Sequence, residues 1–192
     1  MLVNLFQLFL STLLIDNVVL AHFFGFCPLL GVSNKRDSAF AMGLAVIFVI
    51  VGASIITYGL YYGILVPLNL EFLELVTFIL VIASFVQFTE MFLKKNIPAL
   101  YKTLGIYLPL ITTNCAVLYA TMLNITNGYN FIETVINSLG ISVGFLIVIY
   151  LFSEIRERLQ RSNTLRALKG NPIGIITAGL MALAFSGLAG LV

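Results

Sequence analysis

Six long apolar runs, at about 2–32, 39–66, 72–93, 98–124, 131–153 and 172–191, occupy nearly all of this 192-residue chain. A membrane-spanning helix needs about 20 apolar residues to cross about 30 Å of hydrocarbon. Six crossings with short loops therefore use up the sequence and leave no room for a sizeable aqueous domain. The runs are continuous rather than alternating segments of about ten residues, which argues against an outer-membrane barrel. Composition agrees, at 60% hydrophobic and 9% charged, against about 45–50% and about 25% in soluble domains. Two cysteines make no disulfide scaffold, and a formal net charge of +2 gives no electrostatic footprint for nucleic acid. The fold class is all-α: a polytopic membrane protein forming one integral domain over 1–192, with the lipid bilayer as its solvent.

The basic residues set the orientation. Lys35 and Arg36 follow the first run, Lys94, Lys95 and Lys102 lie between the third and fourth, and Arg156, Arg158, Arg161, Arg166 and Lys169 lie between the fifth and sixth. With six crossings these three loops share one side, and no Lys or Arg falls on the other. By the positive-inside rule the basic loops of this multi-pass chain are cytoplasmic and both termini lie outside. The first run has no basic residue ahead of it and is not a secretory signal. Tyr58, Tyr61 and Tyr62 fall at the outer end of the second run, where an aromatic belt is expected.

Two segments carry polar or helix-breaking residues at membrane depth. One runs Leu14-Ile15-Asp16-Asn17-Val18-Val19-Leu20 and on through Gly25-Phe26-Cys27-Pro28 to Gly31. The other is Pro109-Leu110-Ile111-Thr112-Thr113-Asn114-Cys115-Ala116-Val117-Leu118. Asn17 and Asn114 lie 97 positions apart, about half the chain, and each heads a group of three runs. An odd number of crossings makes the second group enter the membrane from the opposite side. This is the pattern of inverted repeats, about 1–96 and 97–192, with broken first and fourth helices. Backbone that leaves the helix in hydrocarbon must be covered, and an Asn can cap the restarting half-helix through its side-chain oxygen.

Cys27 and Cys115, the only thiols, each lie in one of these segments. Their residue type leaves three roles open: buried hydrophobe, disulfide, or metal ligand. A four-thiolate iron–sulfur site would need two further thiols from another chain. Asp16 is an ionisable group within a span, hence an ion-path candidate or a protonated, geometry-setting one. Glu90 precedes Lys94 by one helical turn and forms an i,i+4 pair or an inner stop for ions. Thr112 and Thr113 satisfy backbone at the break or donate to cluster sulfurs. The sole histidine, His22, reads as packed or hydrogen-bonded rather than a ligand. Gly140 and Gly144, and Ala182, Ser186 and Gly190, form small-residue faces for close helix packing, within the chain or against a partner. The stretch 156–169 reads as a solvated, orienting loop or a dock for soluble partners.

The first segment, including Phe24-Gly25-Phe26-Cys27-Pro28-Leu29-Leu30-Gly31-Val32-Ser33, resembles a signature of the Rnf and Nqr membrane-subunit family. So do Glu90-Met91, Leu104-Gly105-Ile106-Tyr107-Leu108-Pro109 running into Thr112-Thr113-Asn114-Cys115-Ala116, and Ile176-Thr177-Ala178-Gly179-Leu180-Met181-Ala182-Leu183. The resemblance covers the whole chain. Pro28 and Gly31 resemble the A-type branch of Rnf, since the Nqr branch usually has Thr and Ala there. Asp16 departs from the neutral residue more usual at its position.

The resemblance implies a six-helix inverted repeat paired with an inverted-topology subunit of E type. It also implies a [2Fe–2S] cluster between them, to which Cys27 and Cys115 contribute half the ligands. Electrons from ferredoxin would pass to NAD through other Rnf subunits carrying flavins and iron–sulfur clusters, coupled to Na⁺ or H⁺ translocation. Two other classes fit the pattern without the thiols. One is a small secondary transporter with a midplane site at the breaks. The other is a structural scaffold, which would tolerate apolar residues at Asp16, Asn17 and Asn114.

Overall fold

A computed structural model describes residues 2–15, 17–33, 36–68, 71–96, 114–161 and 170–187, and every regular element among them is helical. Helix α1 (Leu2–Leu10) runs into a π-helical turn, Ser11–Ile15, and is followed by α2 (Val18–Ala21) and α3 (Phe26–Val32). Helix α4 (Arg36–Leu60) continues through a second π turn, Tyr61–Leu65, into the short α5 (Val66–Leu68). A 3₁₀ turn, Glu71–Leu73, opens α6 (Glu74–Asn96); then come α7 (Cys115–Thr126), α8 (Phe131–Arg161) and α9 (Asn171–Ser186).

Local chemistry accounts for the helix ends. The N–H of Asn130 donates to Glu133 Oε2 at 3.0 Å, the acidic half of a capping box, and its carbonyl accepts from Thr134 N–H at 2.8 Å to begin the helical bonding of α8. Helix α9 opens with Pro172 in its first turn, where a missing N–H is harmless. Glu74 in the first turn of α6 and Lys94 and Lys95 in its last complement the helix dipole.

Among the described residues, three helical stretches are long and apolar enough to cross a membrane: Ser38–Leu68, Glu74–Met91 and Phe131–Arg161. Helices α7 and α9 are apolar but shorter, and the first apolar run is divided among α1, α2 and α3. Phe72, Val76, Leu80, Phe88 and Met91 stand exposed along α6 and the turn before it. Apolar surface so extensive suits lipid, not water.

Helix α8 is the centre of the bundle and packs on α1 with its π turn, α2, α4, α7 and α9. Its small residues determine what lies against it. A side chain at Gly140 would meet Thr12 Oγ1 and the Phe9 carbonyl, and one at Gly144 would meet Asn17 Nδ2 at 2.9 Å and the Leu13 carbonyl at 3.1 Å. This glycine pair therefore serves packing within the chain. On the last helix Ala182 is half-buried and Ser186 exposed, while Gly190 lies outside the described residues.

At the basic end, the fifth run does not stop at 153. Helix α8 continues to Arg161, so the expectation of a solvated loop from 156 is corrected over Arg156–Arg161; 162–169 lie outside the described residues. Paired side chains sustain the extension. Arg36 Nε meets Glu154 Oε1 at 2.9 Å and Glu157 Oε2 at 2.6 Å, and Arg161 Nη2 meets Glu157 Oε1 at 2.6 Å. The hydrogen bond to Glu157 raises the Arg36 pKa from its already high value. At the opposite end, Tyr58 packs on Tyr62 and Phe131 with ring centroids 4.7 and 5.6 Å apart, so part of the expected aromatic belt is one cluster.

Candidate functional site

The two asparagines that head the broken segments adopt one conformation. Asn17 has φ −64° and ψ 113°, and its Oδ1 accepts the Val19 N–H at 3.1 Å. Asn114 has φ −73° and ψ 111°, and its Oδ1 accepts the Ala116 N–H at 3.1 Å. Each is a buried N-cap in extended backbone, starting a helix inside an apolar bundle. Asn17 Nδ2 returns to the Leu13 carbonyl at 3.3 Å. The position that matches Leu13 in sequence is Leu110, which lies outside the described residues, and Asn114 Nδ2 meets no partner among those described.

After α2 the chain turns sharply through 22–25. Phe24 N–H donates to the Val18 carbonyl at 3.1 Å. Phe23, at φ 57°, and Gly25, at φ 81°, both lie in the left-handed region. For phenylalanine that conformation is strained by on the order of 1–3 kcal/mol, and such strain concentrates at functional sites. At Gly25 a side chain is excluded twice over. Besides the positive φ, an added Cβ would sit 2.8 Å from Phe145 Cε2 and 3.3 Å from both Asn114 Oδ1 and Ala116 Cβ. The bare backbone can thus approach the start of α7, and Gly25 N–H donates to Cys115 Sγ at 3.0 Å across 90 residues. The two cysteine-bearing segments meet there.

Cys115 is the first residue of α7 and half-buried; Cys27 is the second residue of α3, two positions after Gly25, and exposed. Both are free thiols and no disulfide joins them. Helix α3 is held at both ends. Its start is fixed by the Gly25 contact. Its C-terminal carbonyl at Leu30 accepts from Arg156 Nη1 at 2.6 Å, and the same nitrogen donates to Ser33 Oγ at 2.8 Å while Nη2 donates to Asn171 Oδ1 at 3.0 Å. Arg156 is buried, so one guanidinium ties α8 to α3 and to the start of α9. Its fork of donors suits this three-way bridge.

Aromatic rings flank the break. His22 lies 5.0 Å from Tyr119 and 6.2 Å from Phe24, and Phe24 lies 5.0 Å from Tyr119, by ring centroids. His22 joins this ring group while remaining exposed. Phe23 and Phe24 are exposed beside Cys27. Glu90 is half-buried on α6, one turn before the exposed Lys94, on a helix that packs against α4 and α7. Asp16, Thr112 and Thr113 lie outside the described residues.

Two functional residues escape recognition from sequence. Gly25 lies within the first motif, and a glycine just before a cysteine at a helix break is the available signal. Arg156 looks like one of five orienting positives, and nothing in the sequence separates it from Arg158. Among the described residues no three His, Cys, Asp or Glu side chains gather to hold a metal. With only two cysteines in the chain, a tetrathiolate centre here requires two thiols from a second chain. A free, exposed Cys27 and a half-buried Cys115 linked through Gly25 suit such a shared site.

Comparison with known proteins gives the family of the chain. A family model described as Rnf-Nqr subunit, membrane protein, matches residues 5–192. The A-type subunit of the Na(+)-translocating ferredoxin:NAD(+) oxidoreductase complex of Acetobacterium woodii is 52% identical over 188 residues, 98% of each chain. The A-type subunit of the ion-translocating oxidoreductase complex of Syntrophotalea carbinolica is 50% identical over 189 residues, 98% of each chain. That of Hahella chejuensis is 52% identical over 182 residues, 95% of this chain and 94% of its own.

Proposed function

The chain belongs to the Rnf-Nqr family of membrane subunits, and from that premise we propose that it is the A-type subunit of an ion-translocating ferredoxin:NAD oxidoreductase. In this reading Cys27 and Cys115 are its two ligands to a [2Fe–2S] cluster shared with an inverted-topology subunit of E type. Flavins and the remaining iron–sulfur centres reside on other subunits of the complex. The chain crosses the membrane six times as two inverted repeats, with its basic loops in the cytoplasm and both termini outside. Na⁺ or H⁺ translocation is coupled to electron flow.

The observation that carries the reading is the hydrogen bond from Gly25 N–H to Cys115 Sγ, which draws the two cysteine-bearing segments together. A bound cluster supplies a one-electron carrier within the membrane. The rest is done by protein groups. The Asn114 cap starts α7 at Cys115 and so fixes where that sulfur stands. Gly25 presents an amide dipole to the same sulfur, and hydrogen bonds to ligand sulfur are among the determinants of cluster potential. Arg156 holds the far end of α3, the helix that carries Cys27. The rings of His22, Phe24 and Tyr119 pack on one another beside the break. Exposure of Cys27 beside Phe23 and Phe24 leaves an apolar, thiol-bearing surface for the partner.

The test is ligand sharing. The chain is purified alone and together with its E-type partner, each after anaerobic iron–sulfur reconstitution, and iron and acid-labile sulfide are counted. The pair should hold one [2Fe–2S] cluster and the single chain none. A cluster held stoichiometrically by the single chain, or none held by the pair, overturns the assignment.

A further inference from the structure

An open groove of about 620 Å³ runs between α4 and α8 at the basic end of the bundle, lined by Arg36, Phe40, Leu146, Ile147, Tyr150 and Leu151. Helical spacing makes its walls. Arg36 and Phe40 lie one turn apart on α4, while Ile147, Tyr150 and Leu151 share one side of α8 with Glu154 one turn further on. Phe40, Ile147, Tyr150 and Leu151 are all exposed. Leu146 sits against Gly43, one turn deeper on α4, where the two helices close together. From Glu154 to Leu146 the helix rises about 12 Å, most of the roughly 15 Å of hydrocarbon in one leaflet.

The mouth of the groove is charged and has donors to spare. Arg36 Nε is held by Glu154 Oε1 at 2.9 Å and Glu157 Oε2 at 2.6 Å, while its two Nη groups meet no partner among the described residues. Such a fork suits a phosphate, which it can grip through two parallel hydrogen bonds. Tyr150 brings a phenol to the same wall. The signs at the mouth are mixed. Arg36 and Arg161 balance Glu154 and Glu157, so a purely anionic headgroup would gain the fork but face two carboxylates. A headgroup with both a phosphate and an ammonium complements both signs.

The walls select the rest of the occupant. Helices approach one another in lipid over small residues, and the small residue here, Gly43, already faces Leu146. What remains is a bulky, uneven apolar trough that an acyl chain can follow. We propose that this groove binds one phospholipid whose headgroup joins a phosphodiester to a primary ammonium, phosphatidylethanolamine. Its phosphate lies on the Arg36 fork, its ammonium on Glu154 and one acyl chain along Phe40, Ile147 and Leu151. Basic pockets between spanning helices at the cytoplasmic side hold lipid headgroups in the same way. Assignment to the cytoplasmic leaflet rests on the proposed sidedness; the binding rests on neither that nor the cluster.

The experiment counts lipid on the purified complex. Delipidated complex is incubated with equal amounts of dioleoyl phosphatidylethanolamine, phosphatidylglycerol and phosphatidylcholine, and retained lipid is identified by native mass spectrometry. Arg36→Gln removes the fork, and Ile147→Trp fills the trough. Each should lose one phosphatidylethanolamine per complex or weaken it by about tenfold, while Leu80→Trp, on the exposed face of α6, retains it as wild type. Unchanged retention in both Arg36→Gln and Ile147→Trp overturns the proposal. So does sensitivity of phosphatidylglycerol or phosphatidylcholine in place of phosphatidylethanolamine. Photo-crosslinking from Ile147→benzoylphenylalanine supplies a second readout in the folded complex: capture of lipid supports the site, and capture of a protein subunit overturns it.

Discussion

Gly25 N–H donates to Cys115 Sγ at 3.0 Å, joining a left-handed turn in the first third of the chain to the first residue of a helix 90 positions later. The contact exists because Gly25 has no side chain. Gly25→Ala meets both a positive φ and Phe145 at 2.8 Å from the new Cβ. The substitution should cost on the order of 1–3 kcal/mol and pull the amide from the sulfur. In the purified complex the midpoint potential of the bound cluster should fall, because a dipole favouring extra negative charge is withdrawn. Redox titration followed by electron paramagnetic resonance measures it. An unchanged potential in a folded Gly25→Ala complex means that the amide does not act on a cluster ligand.

The matched caps at Asn17 and Asn114 make a paired prediction. Replacing either with Ala removes a side-chain acceptor from a buried helix start, at a cost of about 0.5–2 kcal/mol. Ser should restore much of it, since its hydroxyl can take the same N–H. Thermal unfolding in detergent checks the order Asn, Ser, Ala at both positions. Equal stability for Ala and Asn would show that the caps contribute nothing.

Arg156 should behave unlike the other cations of its helix. It donates to Leu30, Ser33 and Asn171 from a buried position. Arg156→Met leaves those acceptors unpaired, and hydrogen bonds to a charged group are worth about 1.5–3 kcal/mol each. Arg156→Lys should rescue only part, because an ammonium lacks the planar fork. Arg36 is exposed and its pairs with Glu154 and Glu157 are open to screening, so Arg36→Gln should be mild and its effect should vanish in high salt. Melting curves of the three variants at low and high salt separate a buried bridge from a surface one.

Gly144 faces Asn17 Nδ2 and the Leu13 carbonyl. The nearest atoms include rigid backbone, so Gly144→Ala should force α1 and its π turn off α8 and cost about 1–3 kcal/mol. Gly59, with nothing near its side-chain position, should accept Ala without loss. Comparison of the two melting temperatures decides this.

Much of the site is legible in sequence because its residues violate their surroundings. Asn17, Asn114, Cys27 and Cys115 are polar or reactive groups in apolar runs, and an asparagine that starts a helix caps it by local geometry alone. The small pair Gly140 and Gly144 is visible as a face, but not what it faces. Arg156 is misread because a basic residue after an apolar run looks the same whether it ends a helix in water or continues one under a neighbour. Asn124, Asn137 and Ser138 are single polar residues on two helices, and only the packing of α7 on α8 joins them.

The shared-cluster assignment of Cys27 and Cys115 is decided by low-temperature electron paramagnetic resonance with iron analysis on the dithionite-reduced complex, comparing wild type with Cys27→Ser and Cys115→Ser. Each substitution should abolish or strongly alter one [2Fe–2S] signal and stop ferredoxin-dependent NAD reduction, with the other centres intact. Full cluster signal and normal electron transfer in both variants would contradict it.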